Sequence, residues 1–184
     1  PLAWESLQPR LGGELDPQVV AQVKEYLRSA DQRGLQVILD IHNCARYSPL
    51  GVDSLVIGDP GLSLEQFAGL WGRLARALRD SPGVYGYGLM NEPVNILTDT
   101  WKQASQAALT AIRQTGDRRL VLVPGSNWSS CQQWVSCHEY HSWIEDPADN
   151  FVYEAHLYWD GDADPLARLK VFVDWCLSNG VRGF

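Results

Sequence analysis

Asn91-Glu92-Pro93 closes a run of small and apolar residues, GVYGYGLM, and sets one carboxylate at the edge of a core. Alternate residues of a strand share a face, so Glu92 follows Gly86, Gly88 and Met90, and glycines on that face make room inside a closed sheet. A carboxyl group at such a rim loses part of its hydration. Desolvation disfavours the charged form, so its pKa is expected to rise, as suits a general acid near neutral pH. Three other places carry polar chemistry where an apolar run ends. They are His42-Asn43 after LQVILDI, Ser126-Asn127-Trp128 after LVLVP, and His156 with Tyr158 at the end of FVYEAHLY. Glu154, His156 and Tyr158 share a face at a spacing of two. Each residue alone reads equally well as a polar loop start. Four such sites at the same end of successive strands read as one cleft.

The elements that must position them alternate. Asp16-Pro17 opens a helix stopped by Gly34, and residues 35–41 form a buried strand. Ser63 and Gln66 form a capping box for a helix over about residues 64–80, and the strand leading to Glu92 follows. A helix over 100–115 capped by Asp99, a strand at 120–124, a strand at 151–158 and a helix over 165–179 come next. A last strand begins at 180–184. The stretch 129–150 is irregular and aromatic, with no helix assigned. Strands alternating with helices predict a parallel sheet with crossover helices. An open doubly wound nucleotide-binding sheet would need a glycine-rich turn after its first strand, and none is present. Polar residues at the C-terminal strand ends favour the (β/α)8 barrel, the TIM barrel.

Composition narrows the partners. The 184 residues carry a net charge of −7 and no basic run, which argues against nucleic acid and anionic membrane surfaces. No apolar stretch is long enough to span a bilayer, and no signal peptide is visible. The chain begins at Pro1, so its natural start is expected to lie elsewhere. Eight tryptophans and seven tyrosines offer flat faces for stacking on sugars. Cys44, Cys131, Cys137 and Cys176 fit no zinc framework, and the segment 137–141 lacks the spacing of a zinc-protease helix, so neither metal nor cofactor is expected. Cys131 and Cys137 are close enough in sequence to form a disulfide in an oxidising compartment.

In the order WESLQP, VILDIHN, GLMNEP, LVLVPGSNWS, YEAHLYWD and GVRGF, the chain resembles glycoside hydrolase family 5, the cellulase family of retaining β-glycanases. The resemblance runs from Trp4 to Phe184 and implies a barrel. It implies Glu92 as acid/base, Asn91 on the sugar 2-hydroxyl, and His42 in the cleft. It places His156 and Tyr158 at the site, with the Tyr158 hydroxyl on the nucleophile, and Trp128 on the glucan. Asn43 and Trp159, beside these motifs, are further candidate sugar contacts.

Against the family, the chain reads as a single catalytic-domain sector from the end of the second barrel strand to the start of the seventh. A full barrel takes ~250 residues. The family nucleophile is a Glu directly after a segment like GVRGF, so it is expected beyond Phe184. Asp40, Glu154 and Asp160 are the acids that would have to replace it, and a substitute is not expected. The chain taken alone is therefore expected to be inactive and poorly soluble, with two open sheet edges.

The function implied is an endo-β-1,4-glucanase acting on β-linked polysaccharide or oligosaccharide, with a β-mannanase or other β-glycanase as the near alternative. A non-catalytic carbohydrate-binding protein keeping Trp128 and Trp159 is the alternative of another class. A phosphate-binding barrel enzyme has no Lys at a strand end to support it. Secretion is expected from the family resemblance.

Overall fold

The computed structural model describes residues 1–50, 53–159 and 164–184. Four parallel strands form one sheet in the order β1 (Val37–Asp40), β4 (Val84–Gly88), β5 (Leu120–Pro124) and β6 (Phe151–Glu154). Each neighbour in the sheet is the next parallel strand in the chain. Three crossovers therefore wind the same way around one wall, as in a (β/α)8 barrel. Parallel bridges extend the sheet at both sides, from Leu2 to Ile41 and from Tyr153 to Gly183. The run at 180–184, expected to begin a strand, contributes only that bridge.

Glycine on the inner face of β4 is a packing requirement. A Cβ on Gly86 would lie 2.5 Å from the Leu120 carbonyl oxygen, and one on Gly88 would lie 3.0 Å from the Asp40 Cβ and 3.9 Å from Glu154 Oε2. Gly88 thus leaves space for the Asp40 side chain inside the wall, and Glu154 lies at ordinary contact distance. Tyr87 points the other way and meets Trp71 of the covering helix layer at 5.6 Å.

The helices are α1 (Trp4–Leu7), α2 (Pro17–Asp31), α3 (Leu64–Ala77), α4 (Thr98–Gln114), α5 (Trp134–His138) and α6 (Pro165–Asn179). Asp16 caps α2 by accepting from the Gln18 and Val19 N–H groups, and Ser63 with Gln66 closes a reciprocal capping box on α3. Helix α4 departs from expectation. It begins at Thr98 with Leu97 at the N-cap and no side-chain cap. Asp99 instead lies inside the first turn, where its charge still favours the helix dipole.

Two features lie in segments to which the sequence assigns no helix or strand. A two-residue antiparallel pair, β2 (Arg46–Tyr47) with β3 (Leu55–Val56), folds the loop after β1. After β5, a 3-10 turn at Cys131–Gln133 runs into α5. Trp134 of α5 is fully buried, 4.5 Å from Phe172 and 5.5 Å from Trp175 of α6 between ring centroids. This aromatic packing, and not local propensity, makes the segment helical. The Cys131–Cys137 bridge that the spacing left open is not formed. Cys131 is buried in the 3-10 turn, Cys137 lies in α5, and all four cysteines are free.

The tryptophans divide between core and surface. Trp4, Trp71, Trp101, Trp134 and Trp175 are buried, whereas Trp128 and Trp159 are exposed. Trp143 is partly buried, stacked on Trp134 and His138, so Trp128 and Trp159 are the most open to a ligand. Among the described residues no helix is long and apolar enough to cross a membrane, and no cluster of three or more His, Cys, Asp or Glu side chains could hold a metal.

Candidate active site

β4 ends at Gly88 and the chain continues beside Ile41, whose carbonyl accepts the Asn91 N–H at 2.7 Å. Glu92 then turns with φ at +44°, uncommon for a residue with a side chain. The turn aims the carboxylate across the sheet end towards β6. There it accepts from His156 Nδ1 at 2.8 Å and from the Tyr158 hydroxyl at 2.9 Å, both through Oε1.

After β5, Asn127, Trp128 and Ser129 all take left-handed φ, at 56°, 63° and 55°. Each such residue costs about 1–3 kcal/mol unless its surroundings enforce it. Here the Trp128 N–H donates to the Pro93 carbonyl at 3.0 Å, the Ser129 hydroxyl accepts the Gly125 N–H at 2.9 Å, and the Ser129 carbonyl accepts the His156 N–H at 2.7 Å. The run is therefore pinned to both neighbouring strand ends. It carries the Trp128 indole, 50% exposed, to the wall of the cleft. That cleft encloses about 430 Å³. Glu92, His156, Leu157 and Tyr158 line one part, and Trp128, Ser130, Gln132, Gln133 and Arg168 line the rest.

His156 lies between two acids, because its Nε2 faces Glu154 Oε1 at 3.0 Å. The Glu154 hydrogen bond lifts the imidazole most; burial opposes this, the Glu92 hydrogen bond adds to it, and the ring is held up to about 9. The expected elevation of the Glu92 pKa is not what the structure shows. Burial does push it up, and is the largest single influence. The hydrogen bonds from His156 and Tyr158, together with the charges of His156 and His42, outweigh burial and hold the carboxyl below its usual range. Glu92 is thus a carboxylate in this structure, paired with an imidazolium.

The other candidates are placed as follows. His42 bonds Asp40 at 2.9 Å through Nδ1 and is close enough to influence Glu92. The half-buried Asn91 side chain has no protein partner among the described residues. Asn43 is not free to bind sugar. Its Oδ1 accepts the Trp4 N–H at 2.9 Å and its amide donates to both Glu5 oxygens at 2.8 and 2.9 Å, so it ties α1 to the end of β1. Tyr158, expected on a nucleophile, donates to Glu92. Trp159 is exposed but lies outside the cleft lining, and Asp160 falls outside the described residues.

Sequence reasoning missed Arg168, Gln132 and Gln133. The two glutamines sit in the segment with no assigned helix. Arg168 sits early in α6 and donates to the Tyr158 carbonyl at 2.7 Å, a contact no motif announces. His138 was weighed only as a metal ligand. It is buried, with Nδ1 donating to the Trp134 carbonyl at 2.9 Å and Nε2 accepting the Ser126 N–H at 2.8 Å. Burial lowers its pKa to about 4, so it is a neutral brace behind the Trp128 loop.

A parallel wall whose polar side chains converge at the C-terminal strand ends defines part of a (β/α)8 barrel. The whole chain, residues 1–184, matches the model of the family Cellulase (glycosyl hydrolase family 5), and the chain belongs to that family. It is 29% identical over 198 residues to the manganese dependent endoglucanase Eg5A of Phanerodontia chrysosporium, covering 99% of this chain and 50% of that protein. It is 30% identical to endoglucanase EG-II of Hypocrea jecorina, covering 88% of this chain and 39% of that protein. Among solved structures, an endo-β-1,4-glucanase of Xanthomonas axonopodis pv. citri matches at a TM-score of 0.89 and 36% identity, over 100% of this chain and 62% of that one. The Pseudomonas stutzeri endoglucanase Cel5A in complex with cellobiose matches at 0.89 and 34%, over 100% and 58%. The chain thus spans about half the length of the curated relatives it matches.

Proposed function

We propose that the intact protein is a secreted, retaining endo-β-1,4-glucanase, in which this chain supplies the barrel sector from the end of the second strand to the start of the seventh. The observation that carries the reading is Glu92, fixed by His156 and Tyr158 at the C-terminal rim and facing an open cleft walled by Trp128. The endoglucanases among its relatives supply the substrate class.

Glu92 protonates the leaving glycosidic oxygen and later takes a proton from the incoming water. Asn91, beside it and with an amide that has no partner among the described residues, is placed to hold a sugar hydroxyl where charge develops. Trp128 offers an indole face for a glucose ring. Retention needs a second carboxyl ~5 Å from the first. Glu154 is held on the far side of the His156 ring, and Asp40 is engaged by His42. Neither is placed to attack an anomeric carbon next to Glu92. The family pattern assigns that role to a Glu following a segment like GVRGF. A nucleophilic carboxylate near Glu92 would also raise the Glu92 pKa by like-charge repulsion, turning it towards the acid form that the first step needs.

The intact protein is expected to cleave carboxymethyl cellulose and barley β-glucan internally, with a viscosity drop that outpaces reducing-end release. Assays on cellulose derivatives, mannan and xylan check this. A preference for mannan or xylan would overturn the glucanase assignment.

A further inference from the structure

Both ring nitrogens of His156 face carboxylates, Nδ1 at 2.8 Å from Glu92 and Nε2 at 3.0 Å from Glu154. One glutamate stands in the turn after β4 and the other ends β6, so the ring is fixed from two directions. Glu154 is the last residue of β6. The His156 and Glu154 side chains are 23% and 17% exposed, so little water competes for these bonds. A carboxylate only accepts hydrogen bonds, so a ring nitrogen facing one must carry hydrogen. Both nitrogens therefore carry hydrogen while both acids are ionised. When Nδ1 gives its proton to Glu92, the Glu154 carboxylate keeps Nε2 in the N–H form.

We propose that Glu154 is a positioning residue for proton transfer, holding His156 so that Nδ1 stores the proton that Glu92 uses. The proposal rests on the glucanase reading for the reaction it serves. The proton moves from Nδ1 to Glu92 Oε1, leaving a neutral Nε2–H imidazole. Glu92 passes it to the leaving oxygen as the glycosidic C–O bond breaks and the nucleophilic carboxylate of the family pattern bonds to the anomeric carbon. Attacking water then gives a proton to Glu92 as its oxygen bonds to the anomeric carbon and the carboxylate–carbon bond breaks, and that proton returns to Nδ1. Atoms and charge balance over the cycle, with water consumed and one glycosidic bond split.

Other charged and titratable groups face this pair. Tyr158 donates to Glu92, His42 with Asp40 approaches from the end of β1, and Arg168 of α6 lines the same cleft. Of the influences that raise the ring's pKa, Glu154 is larger than Glu92.

Glu154→Gln separates charge from shape, because its amide oxygen still accepts from Nε2–H. The test is a 15N NMR titration of the His156 ring in the intact protein and in this variant, with kcat/KM profiles against pH. Wild type is expected to hold both nitrogens protonated at neutral pH. In Glu154→Gln the ring's titration midpoint is expected to fall by about one pH unit or more, because a neighbouring negative charge is gone. The alkaline limb of kcat/KM should move acidward with it, while KM for a soluble oligosaccharide stays within about twofold if Glu154 serves the proton and not the sugar. An unmoved ring titration, or an unmoved limb with only a lower rate or Tm, would overturn the proposal. If the variant does not fold, wild type still decides, since an Nε2 without hydrogen at neutral pH would also overturn it. The titration needs no turnover, so a protein that passes it yet cleaves no glucan refutes the glucanase reading and not the clamp.

Discussion

Glu92→Gln is expected to lower glucan hydrolysis by about 10²–10⁴-fold, the range set by losing a positioned general acid. The amide is nearly isosteric, and its oxygen can still accept from Tyr158, so the fold should survive. It cannot deliver a proton to a sugar leaving group. An aryl glucoside with an acidic phenol needs no such help, so its first step should be nearly spared while its second step, which needs a base, slows. Stopped-flow measurement should therefore show a burst of phenol followed by slow turnover. Polymer hydrolysis at the wild-type rate would remove Glu92 from the acid role.

Arg113→Ala is expected to cost about 3–5 kcal/mol of stability, the loss typical of breaking a buried ion pair on one side. Arg113 closes α4 and meets Asp146 through Nε and Nη2, both at 2.8 Å, with side-chain exposures of 6% and 0%. Its remaining donors reach the carbonyls of Asp117, Arg119 and Asn150, at 3.1, 2.8 and 3.0 Å. One guanidinium thus pins the turns that lead into β5 and β6, which carry Trp128 and His156. Burial alone would raise the Asp146 pKa, but the Arg113 bonds and the N–H groups of Ala148 and Asn150 outweigh it and keep the carboxyl ionised. Removing Arg113 strands that charge. Urea unfolding of the intact protein checks the magnitude, and a loss below about 1 kcal/mol would mean the pair is no better than a surface one. Replacing both partners with apolar residues should cost much less than Arg113→Ala, since no charge is then left buried.

The parts of this architecture legible in the sequence were those written locally. Short apolar runs marked β1, β4, β5 and β6, and Asp16, Ser63 and Gln66 marked helix starts, because strand burial and capping are decided within a few residues. Glu92 with His156 and Tyr158 was legible because each stands where an apolar run ends. Contacts between distant segments were not. Asn43 looked like a cleft residue until Glu5, 38 positions earlier, was found occupying its amide. The Tyr158 hydroxyl reaches Glu92 across 66 positions, and no spacing rule announces such a bond. The direction of the Glu92 shift followed the same logic. Burial was foreseeable, whereas the two donors that override it come from the segment after β6. α5 was hidden because aromatic packing on α6 holds it, with little local signal.

If Glu92 is the acid/base of a retaining reaction, azide is expected to rescue Glu92→Ala in the intact protein. An aryl β-cellobioside with an acidic phenol would still form the glycosyl-enzyme. Azide can then enter the space left by the missing carboxylate and needs no base to attack. NMR of the product should show β-cellobiosyl azide, with rates rising with azide concentration. The α-azide would show that Glu92 is the nucleophile instead, and would contradict the assignment.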